Sequence, residues 1–315
     1  MEKGKSVTGG RLLAFIIGVL ISAIQAGTSV LYAALGEVIS ERAGVINLGV
    51  EGGMLMGAVT GFLVTQETGS AWVGVLAALL IGGIFNLVFA YLVVTRNANQ
   101  LASGLTLGFF GIGLSAFIGR PYVGQLIDGL PKMPIPVLAD LPVVGGILFR
   151  HDLLTYAVVP IALLIGWVLM STRWGLSLRA VGESKTVAYA AGLRPNWLQY
   201  QAIVLGGMLA GLGGAHLSLA FTGVWQEQMT AGRGFIAVAL VIFAQWQPLR
   251  AVWGALLFGG ALAFQLQLQA RGAPISPFFL DMLPYLLTLG VLLIVGRNGR
   301  NAMPEGLKSV FEGMR

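Results

Sequence analysis

The chain has no cysteine, only two histidines and few charges, and each shortage closes off a class of function. Without thiols it forms no disulfide or thiolate metal site, and nothing in it reports a redox compartment. His151 and His216 lack a ligand partner at helical spacing, so no metal site is expected. Charged residues make up 10% of 315, against about 25% in a soluble domain. The net charge of +6 belongs to the flanks of apolar runs, and nucleic-acid binding is not expected. No nucleophile is paired with a base, so the chain is read as no enzyme. Gly4-Lys5-Ser6 resembles the end of a phosphate-binding loop but has no upstream glycine at the required spacing. Gly111-Ile112-Gly113 follows no strand and is read as helix packing.

What is present is apolar. Hydrophobic residues reach 56%, and the 46 glycines are about twice the usual ~7% share. Several windows attain the ~20 apolar residues that cross a bilayer. The expected fold class is all-α, a polytopic transmembrane bundle of about nine helices. The spans are Leu12–Leu35, Val45–Thr65, Ala71–Thr95, Leu101–Gly119, Leu153–Met170, Leu198–Phe221, Phe235–Gln245, Ala251–Gln269 and Leu280–Val295. The seventh is short and ends at Trp246-Gln247-Pro248, which marks a broken or partial crossing. Residues 1–11 form an N-terminal tail, 12–297 the membrane domain and 298–315 a cytoplasmic tail. The opening MEKGKSVTGGR precedes a run longer than a signal h-region and has no clear cleavage site. An external loop, 120–152, carries Pro121, Pro131, Pro134, Pro136 and Pro142, which forbid a continuous helix.

Orientation follows from the basic residues. If 172–197 is cytoplasmic and sides alternate, 11 fall inside: Arg42, Arg96, Arg173, Arg179, Lys185, Arg194, Arg250, Arg297, Arg300, Lys308 and Arg315. Eight fall outside: Lys3, Lys5, Arg11, Arg120, Lys132, Arg150, Arg233 and Arg271. The N-terminus breaks the rule, and a re-entrant hairpin around Gln25-Ala26-Gly27 is the alternative to an outside start. A weak inverted repeat fits nine crossings: Arg42–Ile46 opens the second span and Gly232–Ile236 the seventh.

The stretch SERAGVINLGVEGGMLMGA, residues 40–58, is the most informative. Gly49, Gly53, Gly57 and Gly61 recur every four residues and make a smooth stripe where another helix packs closely. Asn47 and Glu51, also four apart, share a helix face. A carboxylate in lipid costs about 2.5–3.5 kcal/mol on insertion scales, so Glu51 should face a cavity or a partner. Asn47, Glu51, Asn86, Gln100 and Ser103 are the polar candidates for a translocation path.

The cytoplasmic loop holds a second signal, Arg179–Gly192. It reads as a short helix of about nine residues, or ~13 Å. Gly182 precedes it, Glu183 suits its positive end and Gly192 its left-handed stop. Lys185 lies in its first turn. Its small apolar side chains suit docking in another protein's groove.

Together SERAGVINLGVEGGMLMGA and RAVGESKTVAYAAGL resemble the membrane subunit of bacterial ABC importers, in the branched-chain amino acid, ribose and nucleoside permease family. The likeness runs from about Val19 to Val295. ERAGVINLGVEG, Gln100–Leu105 and Gly232–Ala237 look most like the nucleoside and simple-sugar branch. The resemblance implies a multi-pass permease of the bacterial cell membrane that imports nucleosides. It implies that Arg179, Gly182, Glu183, Lys185 and Gly192 belong to a coupling helix resting on an ATP-binding subunit. Its implied partners are a second homologous permease, ATP-binding subunits and an extracytoplasmic substrate-binding lipoprotein. No cofactor is expected in this chain; ATP and magnesium belong to the ATP-binding partner. Longer relatives carry one more N-terminal helix, which fits a nine-span chain starting outside. The competing expectation is a proton-coupled secondary transporter with Glu51 as its relay.

Overall fold

In the computed structural model, which describes residues 3–272, 275–299 and 303–312, the chain opens with a helix of 40 residues, α1 (Lys3–Arg42). α1 takes in most of the expected N-terminal tail and runs past Leu35, where the first crossing was expected to end. It continues because Glu37, Ser40 and Glu41 are buried and find partners within the protein. Asn47 N–H donates to Glu37 at 3.3 Å, Trp246 Nε1 to Glu41 at 2.5 Å, and Ser40 Oγ to the Ala202 carbonyl at 3.4 Å. A buried polar group with a partner does not end a helix in lipid.

The remaining helices are α2 (Val50–Thr68), α3 (Ala71–Ala90, extended by a π-helical turn to Thr95), α4 (Gln100–Gly119), α5 (Val144–Leu148) and α6 (Leu153–Ser171). After them come α7 (Arg173–Glu183), α8 (Lys185–Ala190) and α9 (Pro195–Ala215, extended by a π-helical segment to Thr222). The chain then forms α10 (Arg233–Phe243), α11 (Pro248–Ala270), α12 (Pro277–Asp281), α13 (Leu283–Gly299) and α14 (Glu305–Glu312). Among the described residues there are no strands, only two isolated bridges between the 120–152 loop and the segment after α9. Six helices are long and apolar enough to cross a membrane, namely α1, α3, α4, α6, α9 and α11, and two shorter apolar stretches lie at 233–243 and 278–290. The expected count of nine crossings is therefore not confirmed. Arg300 and Arg315 lie outside the described residues, as do the side chains of Lys3, Lys5, Arg11 and Arg297.

α9 sits at the centre against α1, α2 and α3, and α1 lies along α11. Glycine makes these contacts close. A Cβ on Gly57 would collide with the Gly211 carbonyl, one on Gly82 with the Gly207 carbonyl, and one on Gly214 with the Met54 carbonyl. Lipid gives helices no hydrophobic reason to associate, so backbone approach and dispersion contacts must hold them.

The proline-rich loop returns to the bundle through its backbone. Leu130 N–H donates to the Leu219 carbonyl at 2.8 Å, and Met133 N–H to the His151 carbonyl at 2.8 Å. Asp152 caps α6 by accepting from Thr155 N–H at 3.0 Å and Thr155 Oγ1 at 2.7 Å, 3.7 Å from His216 Nε2. Burial alone would raise the Asp152 carboxyl, but the His216 ring and the two Thr155 donors outweigh it and hold it well below the usual carboxylate range.

The glycine contacts rank three substitutions. Gly57→Ala pushes a methyl into backbone that cannot yield, at about 1–3 kcal/mol. Gly53→Ala meets Asn86 Nδ2 at 3.2 Å and costs less; Gly61→Ala, whose closest neighbours stand at 3.4 Å, costs least. Gly113, with nothing within 4 Å, is the control. Melting temperatures of purified protein in detergent should fall in that order, and equal melting of Gly57→Ala and Gly113→Ala would refute the packing assignment.

Candidate functional site

The polar residues of the 40–58 stretch lie on a turn between α1 and α2. α1 ends at Arg42 and is stopped by Gly44, whose φ of +77° is left-handed, with Val45 N–H returning to the Ser40 carbonyl at 3.1 Å. The Asn47 side-chain oxygen accepts Gly49 N–H at 2.8 Å. That local bond competes with helix, so α2 starts only at Val50. Asn47 and Gly49 therefore precede α2: Asn47 does not share a helix face with Glu51, and the glycine stripe on the helix begins at Gly53.

Three other helices and α1 itself hold this turn. Asn47 Nδ2 donates to Asn86 Oδ1 on α3 at 2.5 Å, and Asn86 Nδ2 to the Gly82 carbonyl at 3.0 Å. Gln100, opening α4, accepts Ile46 N–H at 3.0 Å. Gln199 on α9 donates to the Ala43 carbonyl at 2.9 Å, and Glu37 on α1 takes the N–H of Asn47. A Cβ on Gly49 would stand 2.9 Å from the Gly104 carbonyl, so α4 also touches the turn's backbone. Asn47, Asn86 and Gln100 thus come together. Ser103 is half-buried one turn along α4 and joins none of these bonds.

Glu51 serves a different partner. It is buried on the first turn of α2 and faces the start of α10. One carboxylate oxygen accepts Thr230 Oγ1 at 2.6 Å and Gly232 N–H at 2.8 Å; the other accepts Gly234 N–H at 2.6 Å. Glu51 thereby supplies the acceptors that the exposed N–H groups of a helix start require, at the positive end of the α10 dipole. The Arg233 guanidinium, also buried, attracts it and donates to the Met229 and Thr230 carbonyls at 2.9 and 3.2 Å. Thr230 and Arg233 were not among the candidates, although Arg233 is a charge opening an apolar helix and could have been singled out on that ground. Of the two segments read as a repeat, Gly232–Ile236 opens α10. Arg42–Ile46 instead is the end of α1 and its turn. They share only a left-handed glycine, Gly232 at +80° and Gly44 at +77°.

The loop at 172–197 is two helices rather than one. α7 is capped by Thr172, which accepts Gly175 N–H at 3.1 Å, and it runs through Arg179 and Gly182 to Glu183. Ser184 is extended and caps α8 through Val187 N–H at 3.3 Å. Gly182 and Glu183 therefore end α7 instead of starting the short helix, and α8 has six residues rather than about nine. Ser184, a better cap than glycine, sets that boundary. Gly192 has a φ of +83°. Glu183 accepts the N–H of Glu305, and a Cβ on Gly306 would stand 2.6 Å from the Gly182 carbonyl, so α14 rests on the end of α7. Val187 and Tyr189 project outward with 67% and 74% exposure, beside an open depression of about 480 Å³ lined by Lys185, Thr186, Arg194 and Asn196. Burial lowers the Lys185 ammonium from its ordinary value.

This is a multi-pass helical membrane protein, with a buried polar turn and a short helix capped from a neighbour. Residues 18–295 match the family described as the branched-chain amino acid transport system / permease component, and the chain belongs to that family. A protein of Haloferax volcanii, under a provisional name as a glucose ABC transporter permease, is 40% identical over 94% of this chain and 97% of its own. The guanosine ABC transporter permease of Bacillus subtilis is 32% identical over 85% or more of both chains, covering 86% of this one and 89% of its own. The nucleoside ABC transporter permease of Lactococcus lactis subsp. cremoris is also 32% identical, over 85% of this chain and 88% of its own. The chain is an ABC transporter permease subunit, a transport component rather than an enzyme.

Glu51 separates this reading from a proton-coupled carrier. Glu51→Ala strands two N–H groups, a hydroxyl and a buried cation, a loss of about 3–5 kcal/mol. It should appear as low membrane yield. Glu51→Gln keeps one acceptor oxygen but turns an amide N–H₂ toward a donor, at about 1–3 kcal/mol. Glu51→Gln vesicles supplied with ATP and partner subunits should keep reduced uptake when an uncoupler collapses the proton gradient. Uptake that needs the gradient and ignores ATP would make Glu51 a relay.

Proposed function

We propose that this chain is one permease half of an ATP-driven importer for nucleosides, forming the translocation path with a second permease. Family membership implies an ATP-binding subunit and a substrate-binding partner. On this reading α7 and α8 rest on the ATP-binding subunit, which carries the ATP and magnesium. An extracytoplasmic lipoprotein delivers the substrate. The observation that carries the proposal is the outward apolar surface of Val187 and Tyr189, on a short helix between α7 and the membrane helix α9. Lipid does not explain it, because α8 is neither long nor continuous with a crossing. A partner groove that buries the two side chains does.

In this proposal Arg179, Gly182, Glu183, Lys185 and Gly192 shape the docking element. Glu183 does so indirectly, by holding α14 against the end of α7. The buried Asn47, Asn86 and Glu51, with the half-buried Gln100 and Ser103, form the wall of the path. Nucleosides and simple sugars both present neutral hydroxyl groups. The 40% identity to a relative named for glucose makes a simple sugar the second reading.

Proteoliposomes holding the full complex should take up labelled guanosine or uridine with ATP. Glucose uptake without nucleoside uptake would move the substrate to the second reading. Val187→Glu should leave membrane insertion intact, lower recovery of the ATP-binding subunit on purification and cut uptake at least tenfold. Recovery and uptake equal to wild type would refute the docking role of α8.

A further inference from the structure

α10 is held at both ends. Its start is fixed by Glu51; its end runs into Gln245 and Trp246, two successive non-glycine residues in the left-handed region, with φ of +52° and +55°. Side chains seldom adopt that backbone, and it persists only where the surroundings impose it. Here α1 imposes it. Arg42 Nε and Nη2 fork onto the Trp246 carbonyl at 3.1 and 3.0 Å, and Glu41 takes the indole N–H at 2.5 Å. Trp246 is fully buried, and its own N–H returns to the Val241 carbonyl at 3.1 Å.

The same corner of α1 touches α7. A Cβ on Gly182 would collide with the Arg42 carbonyl and stand 3.2 Å from Gly44 N. Backbone meets backbone there with no flexible side chain between, so displacement of α7 moves Arg42 directly. Arg42 in turn grips the strained end of α10. α10 itself is a rod of about 16 Å, its 11 residues rising 1.5 Å each.

We propose that Trp246 is the joint through which movement of the α7–α8 pair reaches α10, with Glu41 and Arg42 as its positioning residues. The inference rests on the permease reading above: the ATP-binding subunit supplies the movement at α8, and α10 is the element moved. Two discrete arrangements of Gln245 and Trp246, one left-handed and one relaxed, would give the joint two positions. A bistable element of that kind is what long-range coupling requires.

The absence of cysteine makes a clean test possible, because labels can be placed singly and in pairs. Spin labels go on Leu176→Cys in α7 and on Phe235→Cys in α10, each paired with a reference on Trp72→Cys; all three side chains are exposed. Distances are measured in the assembled complex with and without a non-hydrolysable ATP analogue. In the native background nucleotide should change both distances. Trp246→Phe, which removes the indole donor, and Arg42→Lys, which removes the fork, should each keep the Leu176 change and lose at least half of the Phe235 change. A merely structural role would shift neither selectively. A full Phe235 change in both variants overturns the joint. No nucleotide-dependent change at Leu176 in the native background refutes the ATPase partnership, and the joint with it.

Discussion

Everything polar between α1 and α2 depends on one constraint: lipid offers no water to finish an incomplete hydrogen bond. The turn at residues 43–49 has left-handed backbone, and it survives because its polar groups find partners within the turn and on α1, α3, α4 and α9. Gln199 serves Ala43, Gln100 serves Ile46, Glu37 serves the Asn47 backbone and Asn86 its side chain. Removing any one helix would strand a buried donor or acceptor at about 1–3 kcal/mol. α1, α3, α4 and α9 are therefore fixed to one another by a segment of seven residues. Packing of glycine faces alone would tolerate sliding; these directional bonds do not.

The broad architecture was legible because the bilayer filters composition so strongly. α3 ran from Ala71 to Thr95 with its π-helical turn, as its apolar run indicated, and α9 and α11 lay within a few residues of expectation. The short seventh span was legible too, since an apolar run of 11 residues before Trp246-Gln247-Pro248 cannot cross. Misread was the end of α1. A Glu, a Ser, a second Glu and an Arg after Leu35 look like the end of a crossing when each is judged by its own cost in lipid. Their partners, the Asn47 backbone, Ala202 and Trp246, lie 10, 162 and 205 residues away. Spacing along the chain carries no trace of such pairings. The i,i+4 interval of Glu37 and Glu41 was the available clue, since two carboxylates on one face of an apolar helix need a polar neighbour.

The candidate site divides in the same way. Glu51 was identifiable as a residue that must face a partner, but the partner was not, because backbone N–H groups at a helix start have no sequence signature of their own. Asn47 misled for a local reason: its side chain bonds the backbone two residues on, a habit of asparagine that delays a helix and that a periodic reading overlooks. Ser184 did the same at α8, where the glycine two residues earlier drew attention away from the better cap. In both places the deciding bond spans three residues or fewer. The turn chemistry of Asn and Ser was the readable signal, and glycine periodicity obscured it.

A structure this tightly cross-linked must still change shape if it is to move a solute. The glycine contacts of α9 with α1, α2 and α3 bring backbone onto backbone, so those helices form a body that resists deformation. α10 differs: it has only 11 residues, its start is held by the Glu51 carboxylate and by close backbone contact at Gly234, and its end is held by the side chains of Arg42 and Glu41. Hydrogen bonds through side chains break and reform in discrete steps, whereas packed backbones slide only at the expense of many contacts at once. Strain in Gln245 and Trp246 adds stored free energy at one of those ends, about 1–3 kcal/mol for each residue held in a sparsely populated region. The bundle thus combines a rigid frame with one short element whose end is set by directional bonds from α1, the helix whose Arg42 backbone also meets Gly182 of α7.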